Sequence, residues 1–81
     1  MSVTVTVLYF ASLRERTGTA QETLRTAAAD LAGLYDELAA HHDLGWPRTQ
    51  LRVAMDGAFV DWRQPLREGS EIVFIPPVSG G

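Results

Sequence analysis

The sequence predicts an α+β domain of the β-grasp type, with one main helix against a mixed sheet of about five strands. Three observations carry this. Val3, Val5, Val7 and Tyr9 alternate with Thr4, Thr6, Leu8 and Phe10, the period-two pattern of a strand rich in β-branched residues. Leu31, Leu34, Tyr35 and Leu38 fall at the i, i+3, i+4, i+7 spacing of one buried helix face. Glu71 to Ile75 (Glu-Ile-Val-Phe-Ile) is a short apolar strand. With Val3–Tyr9 it makes the most apolar pair in the chain, so the two are expected side by side, parallel and central.

The other elements follow in order. Apolar residues on both faces of Leu8 to Phe10 suit a strand covered on both sides or ending at an interface. Ser12 to Gly18 reads as a turn, or one helical turn stopped by Gly18. Thr19 to Arg25 has Leu24 as its only large apolar residue and reads as a weak edge strand. Thr26 can cap a helix running to about His41, with Asp30 near its start and His41 and His42 at its end, as the helix dipole favours. Asp43 to Gln50, with Gly45 and Pro47, reads as a variable loop. Leu51, Val53 and Met55 alternate with Arg52 and Ala54. Asp56-Gly57 then signals a type I′ hairpin turn, and Phe59 to Trp62 returns as the partner strand. Pro65-Leu66 and Glu68-Gly69 mark two further turns. Residues 1–81 thus form a single domain, and residues 76–81 an extended tail.

Composition narrows the function classes. Ten acids face seven bases, all of them Arg, for a net charge of −3. Affinity for nucleic acid or anionic lipid rests on cationic contacts, so neither partner is expected, and a basic protein surface fits better. With no cysteine there is no disulfide, thiolate metal site or cysteine nucleophile. No apolar run approaches the ~20 residues of a membrane span. The stretch from Met1 to Val7 lacks the basic and long apolar regions of a signal peptide. The expected location is cytoplasmic.

Side chains offer little chemistry. Ser12, Ser70 and Ser79 have no Gly-x-Ser-x-Gly context. His41 and His42 are adjacent, about 100° apart on a helix, whereas helical zinc pairs sit at i, i+4. A solvated helix end explains them, and no metal is expected. Asp56 is explained by its turn, which leaves Asp61 without a partner carboxylate. No glycine-rich phosphate loop follows a strand. What remains is the tail. Pro76-Pro77 cannot continue a sheet and holds the exit extended, projecting the tail from the body. From Pro76 the chain can span ~20 Å, enough to enter a partner's pocket. Gly80 and Gly81 have no Cβ and can thread a narrow channel. At neutral pH the terminal carboxylate is an anion and a poor acyl donor. It reacts only once activated, for example as an acyl-adenylate from which a sulfur or nitrogen nucleophile displaces AMP.

Nearly the whole chain resembles the small subunits of molybdopterin synthase, a family of ubiquitin-like sulfur carriers. The matching stretches are Leu8-Tyr9-Phe10-Ala11-Ser12-Leu13-Arg14-Glu15 with Gly18, Val53-Ala54-Met55-Asp56-Gly57, and Pro65-Leu66 with Glu68-Gly69-Ser70-Glu71. The most specific is Ile72-Val73-Phe74-Ile75-Pro76-Pro77-Val78-Ser79-Gly80-Gly81. The resemblance implies that an E1-like enzyme uses ATP to adenylate the Gly81 carboxylate, and that a sulfur-donating enzyme converts the adenylate to a thiocarboxylate. It implies that Pro77, Val78, Ser79 and Gly80 thread into the large subunit of the synthase. There the sulfur attacks cyclic pyranopterin monophosphate, and two transfers build the dithiolene that later holds molybdenum. The implied assembly is a heterotetramer with the catalytic side chains on the large subunit and no permanently bound cofactor. Matching positions suggest partner contacts for Phe10, Arg14 and Ile75. Core strand positions would equally explain Phe10 and Ile75, and a solvated charge Arg14. Other readings of the same tail are a sulfur carrier for thiamine thiazole or an amino acid, a protein modifier, and a binding module with an inert tail. A modifier of this sequence has no lysine on which to build chains.

Overall fold

The computed structural model describes residues 2–77. Its elements are β1 (Val3–Tyr9), α1 (Ala11–Thr17), β2 (Gln21–Thr26), α2 (Leu31–His42), a 3-10 turn (Arg48–Gln50), β3 (Arg52–Met55), β4 (Ala58–Val60) and β5 (Glu71–Ile75). The five strands form one sheet in the order β2-β1-β5-β3-β4. As expected, β1 and β5 are neighbours and parallel, with Val7 opposite Ile72 and Tyr9 opposite Phe74. Every other pairing is antiparallel.

One sheet face meets α2. From the strands, Val5, Val7, Tyr9, Val53, Met55, Ile72 and Phe74 are buried, and from α2 so are Leu31, Leu34, Tyr35 and Leu38. The Tyr35 ring meets Phe74 edge-on at 5.2 Å. This is the predicted helix face, and its packing supplies most of the helix's stability. Leu34→Ala is expected to cost ~2–5 kcal/mol in urea unfolding at unchanged fold. A loss within experimental error would place α2 off the core.

Several boundaries differ from the sequence reading. Thr26 does not cap α2. It closes β2 opposite Val3, and its hydroxyl accepts from the Ala28 N–H at 3.0 Å. Asp30 is the cap, its carboxylate accepting from the Gly33 N–H at 2.8 Å. A second helix, α1, runs over Ala11–Thr17, longer than the turn or single helical turn expected there, and stops at Gly18 as read. It buries only Leu13, and Gly18 is in the left-handed conformation. The return strand is Ala58–Val60, because Trp62 leaves the sheet to stack on Phe74 at 5.7 Å. The hairpin turn is as read: Asp56 and Gly57 have φ of 53° and 89°, both positive, as a type I′ turn demands. The Asp56 carboxylate also accepts from the Glu71 N–H at 2.9 Å, tying the turn to the start of β5.

Candidate functional site

Parallel pairing of β1 and β5 decides where the site lies, because both strands then finish at one end of the sheet. Tyr9 is opposite Phe74, so Phe10 follows beside Ile75, where the chain leaves the sheet through Pro76 and Pro77. Phe10 is 51% exposed and Ile75 half-buried. A groove of about 500 Å³ lies here, walled by Phe10, Ser12, Trp46, Ile75, Pro76 and Pro77. Ile75 and the two prolines also border a second groove, of about 450 Å³, shared with Arg52 and Phe59. The root of the tail is thus flanked by two open apolar grooves. Val78, Ser79, Gly80 and Gly81 lie outside the described residues. Arg14 is exposed on α1 and borders a separate hollow with Glu15 and Gly18.

Phe59 is the residue the sequence reading missed. At 65% exposed it is the barer of the two large apolar side chains left open among the described residues. Leu8 is opposite Val73, Val73 opposite Ala54, and Ala54 opposite Phe59, so these four make one apolar row across the helix-free face. The Arg52 guanidinium lies 5.7 Å from the Phe59 ring centre and adds a cation–π contact. An apolar face of this kind, continuous with the tail root, is what a protein-docking surface looks like. The signal was in the sequence. A two-residue turn at Asp56-Gly57 fixes Ala54 opposite Phe59, and Ala54 sits on the outer side with Arg52, so Phe59 must point outward too.

Behind Phe10, on the helix side, Tyr9 donates its hydroxyl to the Glu22 carboxylate. His42 Nε2 donates to the same oxygen at 2.9 Å. The three join β1, the edge strand β2 and the end of α2. His42 is therefore a structural partner, while His41 is exposed. Burial, then the Glu22 contact, pushes the Tyr9 hydroxyl well above the usual tyrosine range. Burial alone would raise Glu22, but the bonds from Tyr9 and His42 and the nearby histidine charges outweigh it and hold its carboxyl below 4.5. A lowered folded pKa gives stability that is present above pH 4.5 and lost as pH falls through the folded value. Glu22→Gln should therefore cost about 1–2 kcal/mol at neutral pH, with the gap to the unaltered protein closing in acid. Urea midpoints at several pH values measure this, and a gap constant down to acid pH would contradict it. Among the described residues no three His, Asp or Glu side chains gather to hold a metal ion. No described helix is long and apolar enough to cross a membrane.

A five-stranded mixed sheet with this strand order and a covering helix define a ubiquitin-like β-grasp fold. The chain belongs to the ThiS family, whose model matches residues 7–81. It is 32% identical over 80 residues to the molybdopterin synthase sulfur carrier subunit of Escherichia coli, covering 95% of this chain and 99% of that one. Among solved structures it is similar to subunit 1 in the Helicobacter pylori complex of subunits 1 and 2 of molybdopterin-converting factor. That match has 28% identity and a TM-score of 0.66, covering 98% of this chain and all of that one (100%). SAMP1 of Haloferax volcanii superposes with a TM-score of 0.80 at 23% identity, covering 96% and 99% of the two chains, and shares the fold.

Proposed function

We propose that this chain is the sulfur-carrying small subunit of a molybdopterin synthase, and that its reacting group is the C-terminal carboxylate of Gly81. The carboxylate attacks the α-phosphate of ATP on an E1-like enzyme, releasing pyrophosphate and leaving an acyl-adenylate. A sulfur nucleophile supplied by a sulfur-donating enzyme displaces AMP and leaves a thiocarboxylate. The tail, Pro77 to Gly81, then enters the large subunit, where the sulfur attacks cyclic pyranopterin monophosphate; water then cleaves the acyl C–S bond of the resulting thioester, leaving the sulfur on the pterin and regenerating the Gly81 carboxylate. Phe10, Phe59 and Ile75 dock the body so that the tail is aimed into the partner, with Arg14 at the edge of that contact. The observation that carries this reading is the E. coli sulfur carrier subunit, matched across 95% of the chain. The apolar surface on both sides of Pro76 and Pro77 supports it.

The test is to incubate the protein with an activating enzyme, ATP and a sulfur donor, and then with the large subunit and the pterin substrate. The expected intermediate is heavier than the starting chain by the difference between sulfur and oxygen, and dithiolene product follows. An intermediate that forms but transfers sulfur only to a thiazole or amino-acid precursor would reassign the pathway. A product heavier by a whole second chain would make this a modifier instead.

A further inference from the structure

The connection from Asp43 to Gln50 is anchored as a structural part of the site. Leu44 in it is buried. The Trp46 carbonyl accepts from the Tyr35 hydroxyl at 2.6 Å, and its indole N–H donates to the Ser12 hydroxyl at 2.9 Å. One residue thus ties the loop both to α2, in the core, and to the first turn of α1. The far end of α1 closes on the same loop. Gly45 has a φ of +82°, and a Cβ there would stand 2.9 Å from the Arg16 guanidinium carbon.

What these ties hold is a strained corner. Phe10 is extended, with φ −119° and ψ 153°, and caps α1 without a side-chain hydrogen bond. The next residue, Ala11, has a φ of +50°, in the left-handed region that a side chain other than glycine's disfavours. Such a conformation persists only where its surroundings impose it. The residue after Ala11 is Ser12, the one Trp46 grips. Through this corner the Phe10 ring is turned out to half exposure, into the groove that Trp46 shares with Pro76 and Pro77.

We infer that Trp46 is a positioning residue for sulfur delivery: through Ser12 it fixes the Phe10–Ala11 corner, and so sets the Phe10 ring against the tail root before the partner docks. The inference rests on the sulfur-carrier reading above. The role assigned to Trp46 is one of position, with no part in the chemistry of the tail. Its effect is on the ordering cost of docking, which a fixed ring lowers and a loose one raises.

The experiment measures sulfur transfer from thiocarboxylated protein to cyclic pyranopterin monophosphate on the cognate large subunit, with the carrier concentration varied. Trp46→Phe keeps an aromatic ring but loses the N–H, and Ser12→Ala loses the acceptor. Each should raise KM for the carrier about three- to tenfold, the range of one oriented hydrogen bond, and leave kcat unchanged. The double variant should be no worse than either single one, because both remove the same bond. Ser12→Thr keeps the hydroxyl and should retain the original KM. A lower Tm with a smaller active fraction and unchanged KM would mean a structural role alone and overturn the inference, as would additive effects in the double variant. If Trp46→Phe is too unstable to assay, the Ser12 pair decides by the same criteria. Unaltered protein that transfers no sulfur overturns the functional reading and this inference together. Unaltered protein that transfers sulfur, with both single variants indistinguishable from it, overturns this inference alone.

Discussion

With one alanine added after Gly81, sulfur delivery is expected to fall at least ~100-fold while the fold is unaffected. The added residue moves the carboxylate outward by about 3.5 Å, and a misplacement of ~1 Å can already cost ~100-fold at a reacting centre. It also places a Cβ where a channel shaped for glycine has none. Deleting Gly81 should do the same by leaving the carboxylate short of the acceptor. Gly80→Val should act by blocking the channel with the carboxylate still present. All of these changes lie beyond Phe74, the last buried residue among those described. Thermal unfolding should therefore superpose on that of the unaltered protein. The assay compares thiocarboxylate formation and pterin product for the two lengths. Full transfer by the extended chain would mean that the terminal carboxylate is not the carrier, and the proposed function would go with it.

Much of this architecture is legible in the residues because its cause is local. The Val/Thr alternation of β1, the helix face of Leu31, Leu34, Tyr35 and Leu38, and the Asp56-Gly57 turn each announce themselves over a few positions. The errors fall where two local readings compete or where the partner is remote. Both Thr26 and Asp30 are good caps. Asp30 wins because Thr26 is already paired with Val3, and because Asp30 bridges to Pro65 on a distant turn. Trp62 continues the pattern of the strand before it, yet stacking on Phe74 draws it out of the sheet. The loop around Trp46 is polar and carries Gly45 and Pro47, so it reads as a variable connection. Its anchors, Ser12 and Tyr35, lie 34 and 11 residues away. Of the site itself, Phe10, Ile75 and the prolines could be placed by recognising which strands pair. Phe59 required following the register across the hairpin.

Phe10→Ala and Phe59→Ala are each expected to weaken binding to the large subunit by about 10- to 100-fold while leaving the isolated protein as stable as before. The two halves of this expectation come from one observation. Both rings are more than half exposed in the free chain, at 51% and 65%, so truncating them opens no cavity and removes little buried area. In a complex the same rings lose their water, and a desolvated aromatic anchor is the residue type that most often dominates an interface. Phe59 should show the additional signature of its neighbour. Its loss leaves the Arg52 guanidinium without the ring it lies over, so Arg52→Ala should cost less in the Phe59→Ala background than in the unaltered protein. Ile75, half-buried and opposite Arg52 in β3, should show a smaller binding loss together with some loss of stability. Leu34→Ala provides the contrasting case, because a buried helix residue should cost stability first and binding only as folding fails. Calorimetric titration against the large subunit, paired with urea unfolding of each variant, separates the two behaviours. If Phe10→Ala and Phe59→Ala both bind as the unaltered protein does, the helix-free face is not the docking surface, and the partner must hold the tail by its own contacts alone.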